Sequence, residues 1–282
     1  MPIEEKESSR WLRNLQQSTR LLDDPSRCIP IGDRESDIYE LFCLAQTLRT
    51  HFLVRTCANR LAGQGGHHTI ADEMRAAPVN RFHSIHVRDK GSRVSRVRLA
   101  LKYRRIHVLP SISKQNRYPA HDLTVIYAQE QAQPSHRKRV DWKLITHLPV
   151  TSCREAIEKL EGYAMRWKIE NFHKILKSGC RIEESRLRTA DRLVNLISVF
   201  CILSWRIFWM TMLNRVVPNA TAKLVLTSIE LDLLDQLLRH KQTPSNIPSP
   251  LSHYLIAIAQ LGGYLARTTD PPPGNMGLWR GL

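Results

Sequence analysis

The chain has 282 residues, of which 42 are Lys or Arg and 26 are Asp or Glu, so its formal net charge is +16. With 42% hydrophobic residues the composition is that of a globular protein, which excludes disordered and fibrous classes. Positive charge of this size attracts polyanions, above all nucleic acid, but does not separate a DNA enzyme from a ribosomal or RNA-coating protein. The six Cys residues lie far apart, with no Cys-x-x-Cys pair and no signal peptide, which predicts reduced thiols and a cytoplasmic protein.

The first sixty residues predict a fragment of an α/β layer. An amphipathic helix is predicted over 4–22, and a short strand over 28–31. A helix with Ser36 as its N-cap follows over 36–48, and then a second strand over 51–55. In such layers the chemistry lies at the carboxyl ends of the strands, where Asp33 is placed.

From residue 61 to about residue 149 the hydrophobic period is two, which predicts antiparallel strands. Val97, Leu99 and Leu101 alternate with basic residues, and residues 81–105 contain nine Lys or Arg. A solvated charged face and a nucleic-acid contact explain this basic side equally well. Two further strands are predicted, over 123–128 and 142–148.

The remainder of the chain is predicted to be helical, over 152–177, 188–213, 228–239 and 251–267. The apolar stretch 193–213 has the length of a membrane span, but Asn195 and Arg206 within it favour a buried helix. Trp205, Phe208, Trp209 and Met212 are candidates for a dimer surface, with core packing as the simpler explanation.

The predicted helix 152–177 carries Tyr163, Arg166, Glu170 and Lys177 on one narrow face. Taken alone, this face is explained by an exposed Arg166–Glu170 pair, four residues apart. Together with Asp33, however, Glu170 supplies a second carboxylate of the kind that Mg²⁺ needs in phosphoryl transfer. The opposite side of the helix is predicted to face the core through Met165, Ile169, Phe172, Ile175 and Leu176.

Two segments, residues 32–39 and 163–177, resemble the DDE transposases of bacterial insertion sequences that carry the YREK signature. The resemblance implies a partial ribonuclease-H-like α/β core, a β-rich insertion and a C-terminal helical region. It places the second part of the core at 1–60, the basic insertion at 61–150, the core helices with the signature at 151–215, and a helical region that could dimerise at 216–282. The expected activity is metal-dependent DNA cleavage and strand transfer at transposon ends.

The same resemblance implies a role for each matching residue. Asp33 and Glu170 match catalytic metal ligands, with Mg²⁺ as the expected ion and Mn²⁺ as the alternative. Tyr163, Arg166 and Lys177 match residues that hold DNA phosphates. Arg55 matches a further DNA-contacting arginine, and Trp142 a tryptophan that stacks on a flipped base. The expected partners are double-stranded DNA at transposon ends and targets, and a second copy of the full-length chain, with no membrane.

One element of the family pattern is not found in the sequence. The family has a first catalytic aspartate on an upstream strand, and no carboxylate before Asp33 follows an apolar strand. We therefore expect the carboxyl-terminal part of a transposase, with weak metal binding and poor catalysis. The alternative is a non-catalytic DNA-binding or inhibitory transposase remnant. A zinc nuclease using His67, His68, His83 and His86 fits poorly, because paired Cys and a His-Glu-x-x-His helix are missing.

Overall fold

The computed structural model describes residues 6–22, 24–63, 68–88, 94–239 and 249–282. The chain divides into two units, Met1–Arg166 and Trp167–Leu282. The first has two clusters of buried hydrophobic residues and the second has one. The first unit is mixed α/β and the second is helical, as predicted for the fold class. His67 of the unfavoured zinc hypothesis lies outside the described residues.

The first unit is built on one eight-stranded sheet with helices on both faces. Its helices are α1 (Ser9–Leu21), α2 (Tyr39–Thr47), α3 (Ile70–Ala76) and α4 (Cys153–Ala164). Its strands are β1 (Ile31–Gly32), β2 (Leu53–Arg55), β3 (Leu61–Ala62), β4 (His68–Thr69), β5 (Arg81–Arg88), β6 (Val94–Val108), β7 (His121–Glu130) and β8 (Asp141–Thr146).

The sheet order is β1-β2-β8-β7-β6-β3-β4, with β5 pairing β6. Strands β1 and β2 are parallel and the other pairings are antiparallel. Neighbouring apolar residues point to opposite faces, because side chains alternate along a strand. Val125 packs with the core of α1, α2 and α3, whereas Ile126 packs with the core under α4. Strands predicted for the core and for the insertion therefore share one sheet, and the predicted boundaries between the four regions stay a prediction.

Most elements of the first unit were predicted from the sequence, but the predicted start of α2 is wrong. Ser36, the predicted N-cap, lies in a 3-10 turn, Arg34–Ser36, and its hydroxyl donates to the Asp33 carbonyl at 2.8 Å. The helix begins at Tyr39 instead. Helix α3 was not predicted, although Thr69 and Asp72 form a capping box at its start. The predicted alternation in β6 is confirmed, with Val97, Leu99 and Leu101 buried.

The second unit consists of helices around a separate core. They are α5 (Trp167–Ser178), α6 (Ala190–Val216), α7 (Ser228–Arg239), α8 (Leu251–Leu261) and α9 (Asn275–Gly281). Ile207, Met210, Leu251 and Leu255 are fully buried at its centre. Helix α8 ends earlier than predicted, at Leu261, where Gly262 and the positive-φ Gly263 follow.

Helix α6 is the candidate membrane span of the described residues, by length and apolar composition alone. The prediction of a buried helix is right for Phe208, which packs in the core of the second unit. It is wrong for the other side of the helix, where Ile202, Trp205 and Trp209 are exposed. Arg206 forms an ion pair with Glu230 at 2.5 Å, which offsets the cost of a charge on an apolar helix.

The prediction of one continuous helix over 152–177 is wrong. Helix α4 ends at Ala164 and α5 begins at Trp167. Each helix is held by a different core: Tyr163 is buried in the first unit, and Ile175 in the second. The predicted core-facing side is also wrong in part, because Met165 and Ile169 are about half exposed, at 52% and 48%.

Candidate functional site

Asp33 lies directly after β1, at the edge of the sheet where the parallel strands end. It caps the 3-10 turn that follows, and its Oδ1 accepts a hydrogen bond from the Glu35 N–H at 3.1 Å. The turn is tight because Gly32 precedes it: a Cβ at that position would lie 1.8 Å from the Ser36 Oγ. The carboxylate of Asp33 remains partly exposed, at 37%.

Arg55 is the last residue of β2 and lies at the same edge. Its guanidinium donates to the backbone carbonyl of Asp141 at 3.0 Å. Strand β8 is antiparallel to β2, with Arg55 paired to Leu144, so the start of β8 reaches the edge where β1 and β2 end. Asp33, Arg55 and the beginning of β8 are thus gathered on one side of the first unit.

Trp142, the second residue of β8, packs against α4. Its ring meets the ring of Tyr163 edge-on, with centroids 5.6 Å apart and an interplanar angle of 71°. Tyr163 is only 5% exposed and belongs to the core under α4. The two aromatic residues that the sequence singled out are therefore in contact, and their predicted roles toward DNA stay predictions.

Arg166, the last residue of the first unit, lies close to Asp33. It follows α4, and its NH1 lies 3.7 Å from the Asp33 Oδ2, with both side chains about one third exposed. A pair this long and this exposed contributes little to stability. It does place a guanidinium beside the carboxylate, an arrangement suited to binding an anion next to a metal ligand.

Glu170 and Lys177 belong to the second unit, on α5. Both side chains are exposed, and Lys177 forms an ion pair with Glu183 at 2.7 Å. The first unit thus brings together five of the seven residues predicted for the site. The single helix face that joined all four signature residues in the sequence interpretation is replaced by two helices.

One residue of this region was missed as a functional candidate. Asp37 ends the turn that Asp33 begins, and its side chain is fully buried, with 0% exposure. It holds the loop that follows Arg55. The available signal was its spacing, four residues after Asp33 in a polar segment between a strand and a helix. Such a segment also satisfies ordinary turn chemistry, and so it did not stand out.

The predicted metal ligands, Asp33 and Glu170, are both among the residues that the structure describes. Among them, no group of three or more His, Cys, Asp and Glu side chains is close enough to hold a metal ion. In the first unit Asp33 brings one carboxylate to the edge, already engaged by the Glu35 N–H and close to Arg166. A two-metal site relies on several carboxylate oxygens, and Asp33 is the predicted ligand that the first unit supplies.

An acidic residue at a strand end with basic residues around it is compatible with the class of enzymes that act on phosphodiesters. Comparison with known families is more specific. Residues 40–205 match the model described as the transposase DDE domain, and residues 202–282 match the transposase Tn5 dimerisation domain. The first match covers more than half of the chain, so the chain belongs to the DDE transposase family, as the sequence predicted. Members of this family depend on divalent metal ions, and Glu170 lies inside the matched range whereas Asp33 lies before it.

Proposed function

We propose that this chain takes part in DNA transposition by cleaving DNA at transposon ends and joining the freed 3′ end to target DNA. The observation that supports it is the gathering of Asp33, Arg55, Trp142 and Arg166 at one edge of the sheet. Double-stranded DNA is the substrate, and the net charge of +16 favours its approach. The proposed location is the bacterial cytoplasm, at the nucleoid.

Each residue has a role that its chemistry suits. Arg55 and Arg166 offer planar forks for phosphate oxygens, and Lys177 offers a point charge. Trp142 offers an aromatic surface for an unstacked base, and Tyr163 packs against it. Tyr163 would have to become more exposed for its hydroxyl to reach a phosphate, because it is buried in the free chain.

Asp33 and Glu170 are proposed as the metal ligands, with Mg²⁺ as the ion and Mn²⁺ as the alternative. Their carboxylate oxygens are the ligands that these hard cations prefer. The ion, when bound, would supply charge stabilisation at the phosphate under attack. Since the described residues include no cluster of three such ligands, we expect weak metal binding and slow cleavage by this chain.

The test is cleavage of a labelled transposon-end duplex by the 282-residue chain in Mg²⁺. We expect slow nicking that is lost in Asp33→Asn and in Glu170→Gln. The control is Glu230→Gln, which makes the same change of charge at an ion pair with Arg206 that includes none of the proposed site residues. Nicking by either site variant at the rate of the wild-type chain would contradict the assignment of these ligands.

A second candidate is a DNA-binding protein without catalysis that inhibits an intact transposase. It is favoured by the engagement of the Asp33 carboxylate by Glu35 and Arg166. DNA binding without nicking in the same assay would support it. In that case, adding the chain to an active transposase of this family should lower transposition, and unchanged transposition would argue against inhibition.

Dimerisation is proposed through the second unit. The match to a dimerisation domain covers residues 202–282. Within that range Ile202, Trp205 and Trp209 present exposed apolar side chains on α6, and the two Trp rings are stacked with centroids 6.4 Å apart. A second copy that covered this face would remove it from water. Light scattering on the wild type and on Trp209→Lys should show a dimer and a monomer, respectively.

A further inference from the structure

The loops that leave β1 and β2 are fastened to each other by one buried carboxylate. The Asp37 Oδ2 accepts three hydrogen bonds from the residues that directly follow Arg55. They come from the Thr56 hydroxyl at 2.9 Å, the Cys57 N–H at 2.8 Å and the Ala58 N–H at 3.0 Å. One oxygen that accepts all three of these donors holds the backbone of the loop in place.

The other half of the Asp37 side chain binds a cation from the same loop. Its Oδ1 lies 2.6 Å from Arg60 NH1, and the Asp37 carbonyl accepts from Arg60 NH2 at 2.8 Å. Arg60 is itself only 10% exposed and lies over the ring of Phe42, 5.0 Å from its centroid. The two charges are thus paired within the buried cluster, and the contact of Oδ1 with Arg60 is an ion pair rather than a well-aligned hydrogen bond.

This cluster is placed between two residues of the proposed site. Asp33 begins the turn that Asp37 ends, and Arg55 immediately precedes the loop that Asp37 holds. A second contact joins the same loops, between the Cys57 thiol and the Arg34 carbonyl at 3.7 Å. Movement of either loop would therefore change the separation of Asp33 and Arg55.

We infer that Asp37 is a positioning residue that sets Arg55 relative to Asp33 for DNA binding, an inference that rests on the proposed function. Asp37 is fully enclosed and does not touch DNA itself. Its contribution depends on the oxygen that accepts from the loop, and its negative charge is needed only to balance Arg60. These two properties can be separated by substitution.

Two paired substitutions make this separation at constant net charge. In Asp37→Ala with Arg60→Met, both charges and the acceptor are removed, and apolar groups fill the space. In Asp37→Asn with Arg60→Gln, both charges are removed but the Asn side-chain oxygen can still accept from Cys57 and Ala58. Because both pairs leave the net charge of the chain unchanged, nonspecific attraction to DNA is matched between them.

The measurement is the affinity of the full chain for a fluorescein-labelled duplex over a series of salt concentrations. Arg55→Ala should lower the slope of log K against log salt by about 1, as expected for one lost phosphate contact. The Asp37→Ala, Arg60→Met pair should lower this slope to the same extent. The Asp37→Asn, Arg60→Gln pair should keep the slope of the wild type. Adding the Ala/Met pair to Arg55→Ala should cause no further loss, because both act on the same contact.

Three results would overturn the inference, and they are distinguishable. Wild-type binding by the Ala/Met pair, or equal losses in both pairs, would contradict positioning by Asp37 while leaving the DNA contact of Arg55 intact. Wild-type binding by Arg55→Ala would contradict that contact, and positioning with it. If the Ala/Met pair does not fold, Thr56→Val removes one donor to the same oxygen and Thr56→Ser retains it, and the same contrast in binding is expected between those two.

Discussion

Glu130 shows how a single buried carboxylate closes the turn between β7 and β8. It is 3% exposed, binds Arg137 through both oxygens at 2.8 and 2.6 Å, and accepts from the Val140 N–H at 2.9 Å. Hydrogen bonds to charged groups contribute about 1.5 to 3 kcal/mol. We therefore expect Glu130→Gln to lower the free energy of unfolding by about 2 kcal/mol at pH 7, measured by urea denaturation.

The effect of the same substitution on stability should depend on pH. The hydrogen bond from Arg137 holds the pKa of Glu130 below its usual range, with burial opposing and the Val140 N–H assisting. A carboxylate with a lowered folded-state pKa stabilises the fold above its unfolded pKa of about 4.3 and loses that contribution as the pH falls further. The difference in unfolding free energy between wild type and Glu130→Gln should therefore shrink below about pH 4. A constant difference down to pH 3 would contradict this origin of the stability.

Helix α4, which carries Tyr163, depends on the capping of its first turn. The Ser152 hydroxyl accepts from the Glu155 N–H, and the Glu155 carboxylate accepts from the Thr151 N–H at 2.6 Å. Loss of such an N-cap costs about 1 kcal/mol. Ser152→Ala should lower the free energy of unfolding by about that amount, whereas Ser152→Asp retains an acceptor and should not. Equal losses in the two variants would mean that capping is not the cause.

The contrast between α4 and α5 shows which elements could be predicted from the sequence. The start of α4 was predicted to within one residue, because the change to a helical pattern after residue 151 is a local signal. The interruption after Ala164 was not, since it depends on Tyr163 and Ile175 packing in different cores. Helix α3 carried a readable capping box but lay within a region whose alternating pattern predicted strands.

The candidate site could be predicted in part for the same reason. Asp33 was found because a polar residue at the end of an apolar strand is a local signal in α/β layers. Its neighbour Arg166 and the contact of Arg55 with Asp141 depend on residues more than eighty positions away, which meet only once β8 pairs with β2. Asp37 was missed because its importance lies in tertiary contacts of its own, with residues 56–60, that no local pattern shows.

The net charge of +16 leads to a prediction about DNA binding that does not depend on any single site residue. Each phosphate neutralised by Lys or Arg releases a counterion, so log K falls with log salt at about 0.9 per contact. If the chain covers six to ten phosphates, its affinity for duplex DNA should fall by about 10³ to 10⁵ between roughly 50 and 200 mM salt. Because this attraction is not specific for sequence, unrelated duplexes should show nearly the same slope. A shallow slope would mean that the basic residues are mostly solvated and that DNA binding rests on the few contacts of the proposed site.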